Sequence, residues 1–531
     1  MPTTWTIAVD WGRNGNFTDT NDSITDRVIE TIWFVGQKQP YQEVADNSIL
    51  TLLIDNSDGR FSPENASSPL YGSLVPLRPL RVTADDGTTE HIMWQGWLES
   101  LRPAPGRYGK RIVQILAHGP MPFYMDVETK IKLQENKRTD EIIAELIKEV
   151  IIPPALTSAW VLGRVGYSNL GHSTYLASLT QFSVLDTGRK TLELAADNWV
   201  RQGGMADQKQ DTFDVYRAIR DVTAAERGKF LFSREGKALF WNRHHTLDLG
   251  ADTTPDATLD DTMQGMDYTY ADLERMKNEI IVTCHPRTIS ANNQETLWEL
   301  TDGQTIRINA EEEYTLEIRY RDASDNRIGG REVGYADLEF DERGAGTGDV
   351  TLTVEAKANS AKLKFKNNHA QKPALANKLR VIGQKITDQG EMDATATDSA
   401  SIVDYGRRVL RLNLPSVDTL EEAQYIADFE RRRRGQPRGD VASIGLMSHS
   451  TQGGNLHDQQ LARTLGDLVQ IKETQTGHDS RYWVIGEMHK LSNFGQTLES
   501  TWYLEPTPTS YPWKLGVTGR AELGTNTRLA Y

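Results

Sequence analysis

The stretch from Ala45 to Arg102 places the tightest limits on what this chain folds into. It opens with an apolar run of β type, Ile49-Leu50-Thr51-Leu52-Leu53-Ile54, which the polar cluster Asp55-Asn56-Ser57-Asp58-Gly59 stops at once. Roughly twenty residues rich in Pro, Ser and Asn then precede the next strand signal, a length that inside a domain marks either a functional loop or a wrong element assignment. The punctuation is too regular for disorder. Ser62-Pro63, Ser68-Pro69, Val75-Pro76 and Arg78-Pro79 each restrict two adjacent residues. Phe61, Leu70, Tyr71, Leu74 and Leu77 supply apolar anchors. We expect an ordered strap closing one end of a barrel. Strand signals flank it: Trp5–Val9 and Ile29–Phe34 before, Leu80/Val82/Ala84, Ile92/Trp94/Gly96/Leu98 and Val113/Ile115/Ala117 after, with turn chemistry at Asp85-Asp86-Gly87. Short strands at this spacing predict an antiparallel barrel or sandwich.

The run DNSDGRFSPENASSPLYG, followed by PLRPLRVTA and by a strand ending Trp94-Gln95-Gly96-Trp97-Leu98-Glu99-Ser100, resembles the minor tail, or tail-hub, proteins of long-tailed bacteriophages and prophages. In that family a strand ends in Asp-Asn-x-Asp-Gly-Arg-Phe-Ser-Pro. A Pro-Leu-Tyr-Gly strap, an Arg-Pro-x-Arg strand and a Gly-x-x-Glu-Ser strand come next, and all four pieces stand here in that order. The resemblance extends to the order helix, long irregular stretch, helix, hairpin after residue 120. It also extends to the aromatic-x-Arg ending at Trp241-Asn242-Arg243, and to a strand entered through Asn278 in Met276-Lys277-Asn278-Glu279.

From residue 121 the apolar period becomes helical. Ile143, Leu146, Ile147 and Val150 share a face, with Thr139 as the expected N-cap and Pro153-Pro154 ending the helix. A second helix carries Val215, Ile219 and Val222, with Gly228 as the expected C-terminal cap. A hairpin follows, Phe230-Leu231-Phe232 and Leu239-Phe240-Trp241 around the turn Arg234–Lys237. Beyond a connecting region, residues 286–380 show strand signals and no apolar helix period. After Pro415 one more helix is expected, with Asp418 and Glu421 as a capping box and Ala423, Ile426 and Ala427 inward. The expected fold is mainly β with an α+β insert. It comprises a first β-barrel (1–120), an α+β domain (121–245), a second β-barrel (246–285 and 381–505), an inserted β-sandwich (286–380) and an extended C-terminal arm (506–531). That arm holds too many apolar residues for a solvated linker, and the competing reading is a frayed terminus.

One internal echo bears on architecture. Leu468–Ile471 and Tyr482–Glu487, around a turn at Gly477, repeat the pattern of Leu80–Val82 and Met93–Trp97. Each pair is followed by a further strand. Two related barrels and two convergent hairpins both account for it.

Chemistry-bearing motifs are sparse. The GAGTG run at Gly344–Gly348 precedes a strand instead of opening a helix, so it reads as a hairpin loop and not a phosphate cradle. His244-His245 are neighbours and would face opposite sides of a strand. Asp55–Gly59 lacks the spacing of a calcium loop, and Cys284 beside His285 reads as a small buried hydrophobe. The basic run Arg431–Arg434 falls at a helix C-terminus, where exposed carbonyls favour cations. We read it as a solvated helix end or subunit contact in preference to a DNA contact. We expect no catalytic, cofactor-binding or metal-binding residues and no cofactor. A formal net charge of -15 argues against general binding of nucleic acid or anionic membrane. The single cysteine points to assembly in a reducing compartment, and no signal peptide or run of membrane-spanning length is apparent.

The resemblance implies a structural virion protein made and assembled in the host bacterial cytoplasm: the hub at the distal end of a phage tail tube, at the tail tip. It would be a homotrimer that adapts the tube to the tip. Its implied partners are the distal tail or tube protein, the tape measure protein, and tail fibre or receptor-binding proteins. DNA would pass through without specific binding, and no stable membrane insertion is implied. The alternatives are a tail-tip receptor- or glycan-binding protein and a tail-associated cell-wall hydrolase.

Overall fold

Alternation builds the first sheet. In Ile49–Asp55 the side chains of Leu50, Leu52 and Ile54 are fully buried while the residues between them lie toward the surface. The structure is a computed structural model. It describes residues 2–104, 111–129, 131–150, 183–195, 213–248, 254–261, 266–270, 273–301, 303–437, 439–450, 454–507, 511–512 and 527–528. Most of the C-terminal arm therefore lies outside the described residues, as does much of the stretch between the two helices of the α+β region.

Six strands form the first unit: β1 (Thr4–Val9), β2 (Val28–Gly36), β3 (Ile49–Asp55), β4 (Pro79–Asp85), β5 (Glu90–Pro103) and β6 (Ile112–His118). They pair antiparallel in the order β1-β4-β5-β6-β3-β2. The strap between β3 and β4 is ordered as its prolines require. Phe61, Leu70 and Leu74 are buried in the unit's core, and Asn56 holds the entry through Oδ1 to Phe61 N (2.8 Å). Tyr71 departs from expectation and projects outward.

Six more strands form a second unit: β7 (Ala257–Asp260), β8 (Met266–Tyr270), β9 (Val441–His449), β10 (Leu468–Glu473), β11 (His478–Ser492) and β12 (Thr497–Pro506). Their order is β7-β10-β11-β12-β9-β8, the first unit's order strand for strand. One difference is that β7 runs parallel to β10 where β1 runs antiparallel to β4. A ladder between β2 and β11 joins the two units into one sheet of twelve strands.

The α+β region packs helix α1 (Thr139–Ile147) against helix α2 (Val215–Glu226) and continues into the hairpin Lys229–Phe232/Ala238–Trp241. Two caps differ from expectation. Arg138, not Thr139, caps α1, and the Thr139 hydroxyl instead donates to buried Glu226 (2.9 Å). Helix α2 ends on Arg227 at φ 58°, a left-handed position usually given to glycine. Gly228 follows because a Cβ there would meet the Trp241 carbonyl oxygen at 2.4 Å.

Between β8 and β9 the chain builds two further bodies. In the first, Glu279–Cys284 pairs with Met392–Thr397 and Val409–Asn413, and helix α3 (Leu420–Arg434) covers them through Ala423, Ile426 and Ala427. Thr419 caps α3, one residue later than the pattern suggests, accepting from Glu422 N (3.3 Å). Asn278 enters this sheet buried, its amide tied to Gly406 O (2.8 Å) and Arg408 N (2.7 Å). The second body is all β. Its longest strand, Ala374–Asp388, pairs with Gly329–Phe340 along one edge and with three short strands along the other. The sheet Glu313–Arg319/Ser360–Asn367/Val350–Ala356 packs on it over a separate core that includes Leu297, Ile308, Leu363 and Phe365.

Candidate functional site: the joint between the two units

The correspondence between the units reaches individual bonds. In β5 the ladder with β6 is interrupted by a bulge between Leu98 and Ser100; in β11 the ladder with β12 has its bulge between Val484 and Gly486. Just before each bulge the strand is tied to the turn entering its neighbour. Leu77 N donates to Leu98 O (2.7 Å) and Leu98 N to Arg78 O (2.8 Å). Gly466 N donates to Val484 O (2.9 Å) and Val484 N to Asp467 O (3.0 Å). Leu77 and Gly466 both hold positive φ, 59° and 88°. The echo noticed in the sequence is a structural repeat, with Trp97 matching Trp483.

Past its bulge β11 takes β2 as its partner, in register from Gly36↔Gly486 to Thr31↔Leu491. Both facing residues are glycine for a steric reason. A Cβ on Gly486 would meet the Gln37 carbonyl oxygen at 2.0 Å, and one on Gly36 would meet Ile485 O at 2.5 Å. Trp33 lies stacked on His489 across the ladder, with ring centroids 5.2 Å apart.

Buried charge locks this joint. Arg234, from the turn of the α+β hairpin, donates to both Glu487 oxygens (2.7 and 2.6 Å) and to the carbonyls of Leu461 (2.7 Å) and Arg463 (2.6 Å). Glu487 also contacts His489 Nε2 at 3.2 Å, and His489 Nδ1 lies 2.8 Å from Ser500 Oγ. A second node sits at the hairpin base. Lys229 Nζ pairs with Glu505 (2.8 Å), which also meets Arg433 and accepts from Tyr41 N (2.9 Å). Arg227 bridges Glu430 (2.7 Å) and Glu43 (2.8 Å), which explains how a non-glycine residue is held in the left-handed region. Burial alone would push Glu487, Glu505 and Glu430 up. Arg234 for the first, Lys229 and Arg433 for the second, and Arg227 and Arg434 for the third outweigh it and hold each at about 2. Burial pushes His489 below its usual value despite Glu487. The three carboxylates stay charged and paired at neutral pH, while His489 is neutral there. They clamp elements together and leave no carboxyl free for proton transfer.

The basic run is thus not a solvated helix end throughout. Arg433 and Arg434 turn inward over the Tyr41 ring (4.3 Å each), and Arg434 pairs with Glu430 (3.0 Å). Cys284 is fully buried, and His285 beside it lies against Asp388 (3.6 Å) and Asn413 (2.8 Å). His245 begins a short helix, stacks on Trp241 and meets Asp186 at 2.8 Å. Asp55 and Asp58 approach Arg27, and the GAGTG run is the loop before Val350–Ala356. Among the described residues no cluster of His, Cys, Asp or Glu is arranged to hold a metal ion, and no helix is long and apolar enough to cross a membrane. Sequence reasoning missed the ionic nodes. Their local signal is a carboxylate directly after an apolar strand run, as in Trp483-Val484-Ile485-Gly486-Glu487 and Trp502-Tyr503-Leu504-Glu505.

No protein-family model and no curated protein matches the chain. Solved structures do. It is similar to the tail protein from Neisseria meningitidis MC58 (11% identity, TM-score 0.47, covering 96% of this chain and 99% of that one). It is also similar to the 43 kDa tail protein of prophage MuSo2 from Shewanella oneidensis (10% identity, TM-score 0.43, 94% and 97%). A third is the E. coli c3393 protein, a type VI secretion component described as structurally similar to T4 bacteriophage tail proteins gp27 and gp5 (6% identity, TM-score 0.35, 90% and 73%). No residue role in this chain rests on these likenesses.

Proposed function

We propose that the chain is a structural hub of a phage tail, at the distal end of the tail tube, acting as a homotrimer around a central channel. The observation that carries this reading is the repeat: one chain holds two copies of a six-strand unit joined edge to edge. Three chains then supply six units, which lets a threefold assembly meet a sixfold tube. The strap motif Asp55–Pro63 and its successors support the same reading through their resemblance to tail-hub proteins. Tape measure protein and DNA would pass through the channel, and a net charge of -15 suits a wall that does not retain phosphate. Imaging of the assembled particle tests this. Threefold symmetry with six units in one ring is expected; six copies of the chain, or one unit per chain in the ring, overturns it.

A groove of about 770 Å³ in the all-β body favours a second role there. Trp298 and Tyr314 line it beside Arg307, Arg319 and Glu317, a combination of ring faces and planar polar groups suited to a saccharide. Binding on a glycan array that is lost in Trp298→Ala supports receptor recognition, and no binding at all removes it.

A further inference from the structure

The groove in the all-β body lies between the edges of its two sheets. The strand Glu313–Arg319 forms one wall and pairs with Ser360–Asn367 along its far side only. Ile306–Ile308, an edge strand of the longer sheet, contributes to the other wall. Where the two edges meet, Arg321 N donates to Leu297 O (2.8 Å). Bonds at both ends of Glu313–Arg319 set the phase of its ladder. Tyr320 N donates to Asn359 O and Asn367 N to Glu312 O (3.0 Å each), so the even-numbered residues between them bond toward Ser360–Asn367. The N–H and C=O of Thr315, between the lining residues Tyr314 and Leu316, are directed the other way, and nothing among the described residues meets them.

Charge sets this groove apart from the chain around it. Arg307, Arg319 and Arg321 line it against one carboxylate among the described lining residues, Glu317, in a chain of net charge -15. Arg307 is exposed. Its Nε donates to Asn309 Oδ1 (3.2 Å), and it pairs with no carboxylate among the described residues. That bond orients the guanidinium plane and leaves its two terminal nitrogens, whose fork matches a carboxylate, to a ligand. Arg321 pairs with Asp325 (3.2 Å), whose side chain is 84% exposed and screened by water. Trp298 and Tyr314 present half-buried rings to the same space.

We propose that the groove takes a carboxylated saccharide, a uronic or sialic acid residue, with its carboxylate on Arg307. This rests on the receptor-recognition reading above and names its ligand class. The apolar face of the pyranose lies against Trp298, and its hydroxyls, each both donor and acceptor, reach the Thr315 edge. An added peptide strand is the rival occupant of that edge. It is disfavoured because Glu313, Glu317 and Arg319 stand exposed along the strand, the charge pattern by which edges resist strand addition.

The test is binding of the full purified chain to an array of uronic- and sialic-acid glycans, printed beside the same glycans with their carboxyl groups methyl-esterified. Polyglutamate serves as the peptide and polyanion control. We expect binding to the acids, binding at least about tenfold weaker to the esters, and none to polyglutamate. Arg307→Gln should abolish the preference for the acids while leaving affinity for the esters and the melting temperature unchanged. Arg307→Lys should keep part of the preference, since it retains the charge without the fork. Equal binding of acids and esters, or a preference that survives Arg307→Gln, overturns the carboxylate assignment and leaves saccharide recognition standing. Polyglutamate bound as well as the acids overturns it in favour of a peptide or general anion site. No binding to any glycan removes this inference together with the receptor-recognition reading.

Discussion

The segments of β5 and β11 that follow their bulges are the same piece of architecture in two conditions. In β11 the segment is closed by β2, stapled by Arg234 to Glu487 and stacked through His489 on Trp33. In β5 the matching positions are Ser100, Leu101 and Pro103, with Glu99 and Arg102 exposed beside them. The difference teaches how a duplicated unit divides its labour. A joint within one chain forms once, and buried ion pairs that are costly to desolvate make it specific. The matching edge of β5 carries no such lock, and its proline with flanking charge discourages unwanted strand pairing.

The largest effect should come from the staple. Arg234→Ala leaves Glu487 buried without its cation, and we expect a loss of about 3–5 kcal/mol in denaturant-measured stability. A smaller change would mean that water reaches the joint. Gly486→Ala forces a Cβ onto the Gln37 carbonyl oxygen and should cost about 1–3 kcal/mol, whereas Ser100→Ala at the matching position of β5 should stay within about 0.5 kcal/mol. Acid gives the next contrast. Glu487, Glu505 and Glu430 sit near 2 in the folded chain against an ordinary 4.5, so the unfolded chain takes up protons first. Their contribution is complete above pH 4.5 and is lost as pH falls toward 2, with His489 adding a loss that begins below its ordinary 6.5. A urea titration at stepped pH should show this slope, and Glu487→Gln should flatten it. Least affected should be the chain without its all-β body. Ile289 and Ile386 face each other in register, so a two-residue Asn-Gly turn in place of residues 290–385 should leave the melting temperature of the rest nearly unchanged. Aggregation of that chain would tie the body's separate core to the units.

Much of this was legible because it is local. Alternation in Ile49–Ile54, the prolines of the strap and the helical period of Ala423, Ile426 and Ala427 each report on neighbours a few residues away. The repeat was visible only as two similar hairpins, since the shared bulge and the paired turns are backbone features that Leu77 and Gly466 satisfy with different side chains. The pairing at the joint was not legible. Arg234 and Glu487 stand 253 positions apart, and each alone reads as a surface charge. Arg433 and Arg434 read as solvated for the same reason, their partners Glu505 and Glu430 being set by tertiary packing.

The ladder between β2 and β11 ties the first strands of the chain to its last. At synthesis rates of about 5–20 residues per second, the first unit is complete tens of seconds before β11 leaves the ribosome. Throughout that interval β2 presents a bare edge with Ile32 partly exposed, a template for pairing with any neighbouring nascent chain. The step that completes the fold is therefore the closure of a very long loop, slow by its topology and late by its place in the chain. A chain cut short before His478 keeps a whole first unit with that edge unguarded, and its expected fate is aggregation, not partial assembly.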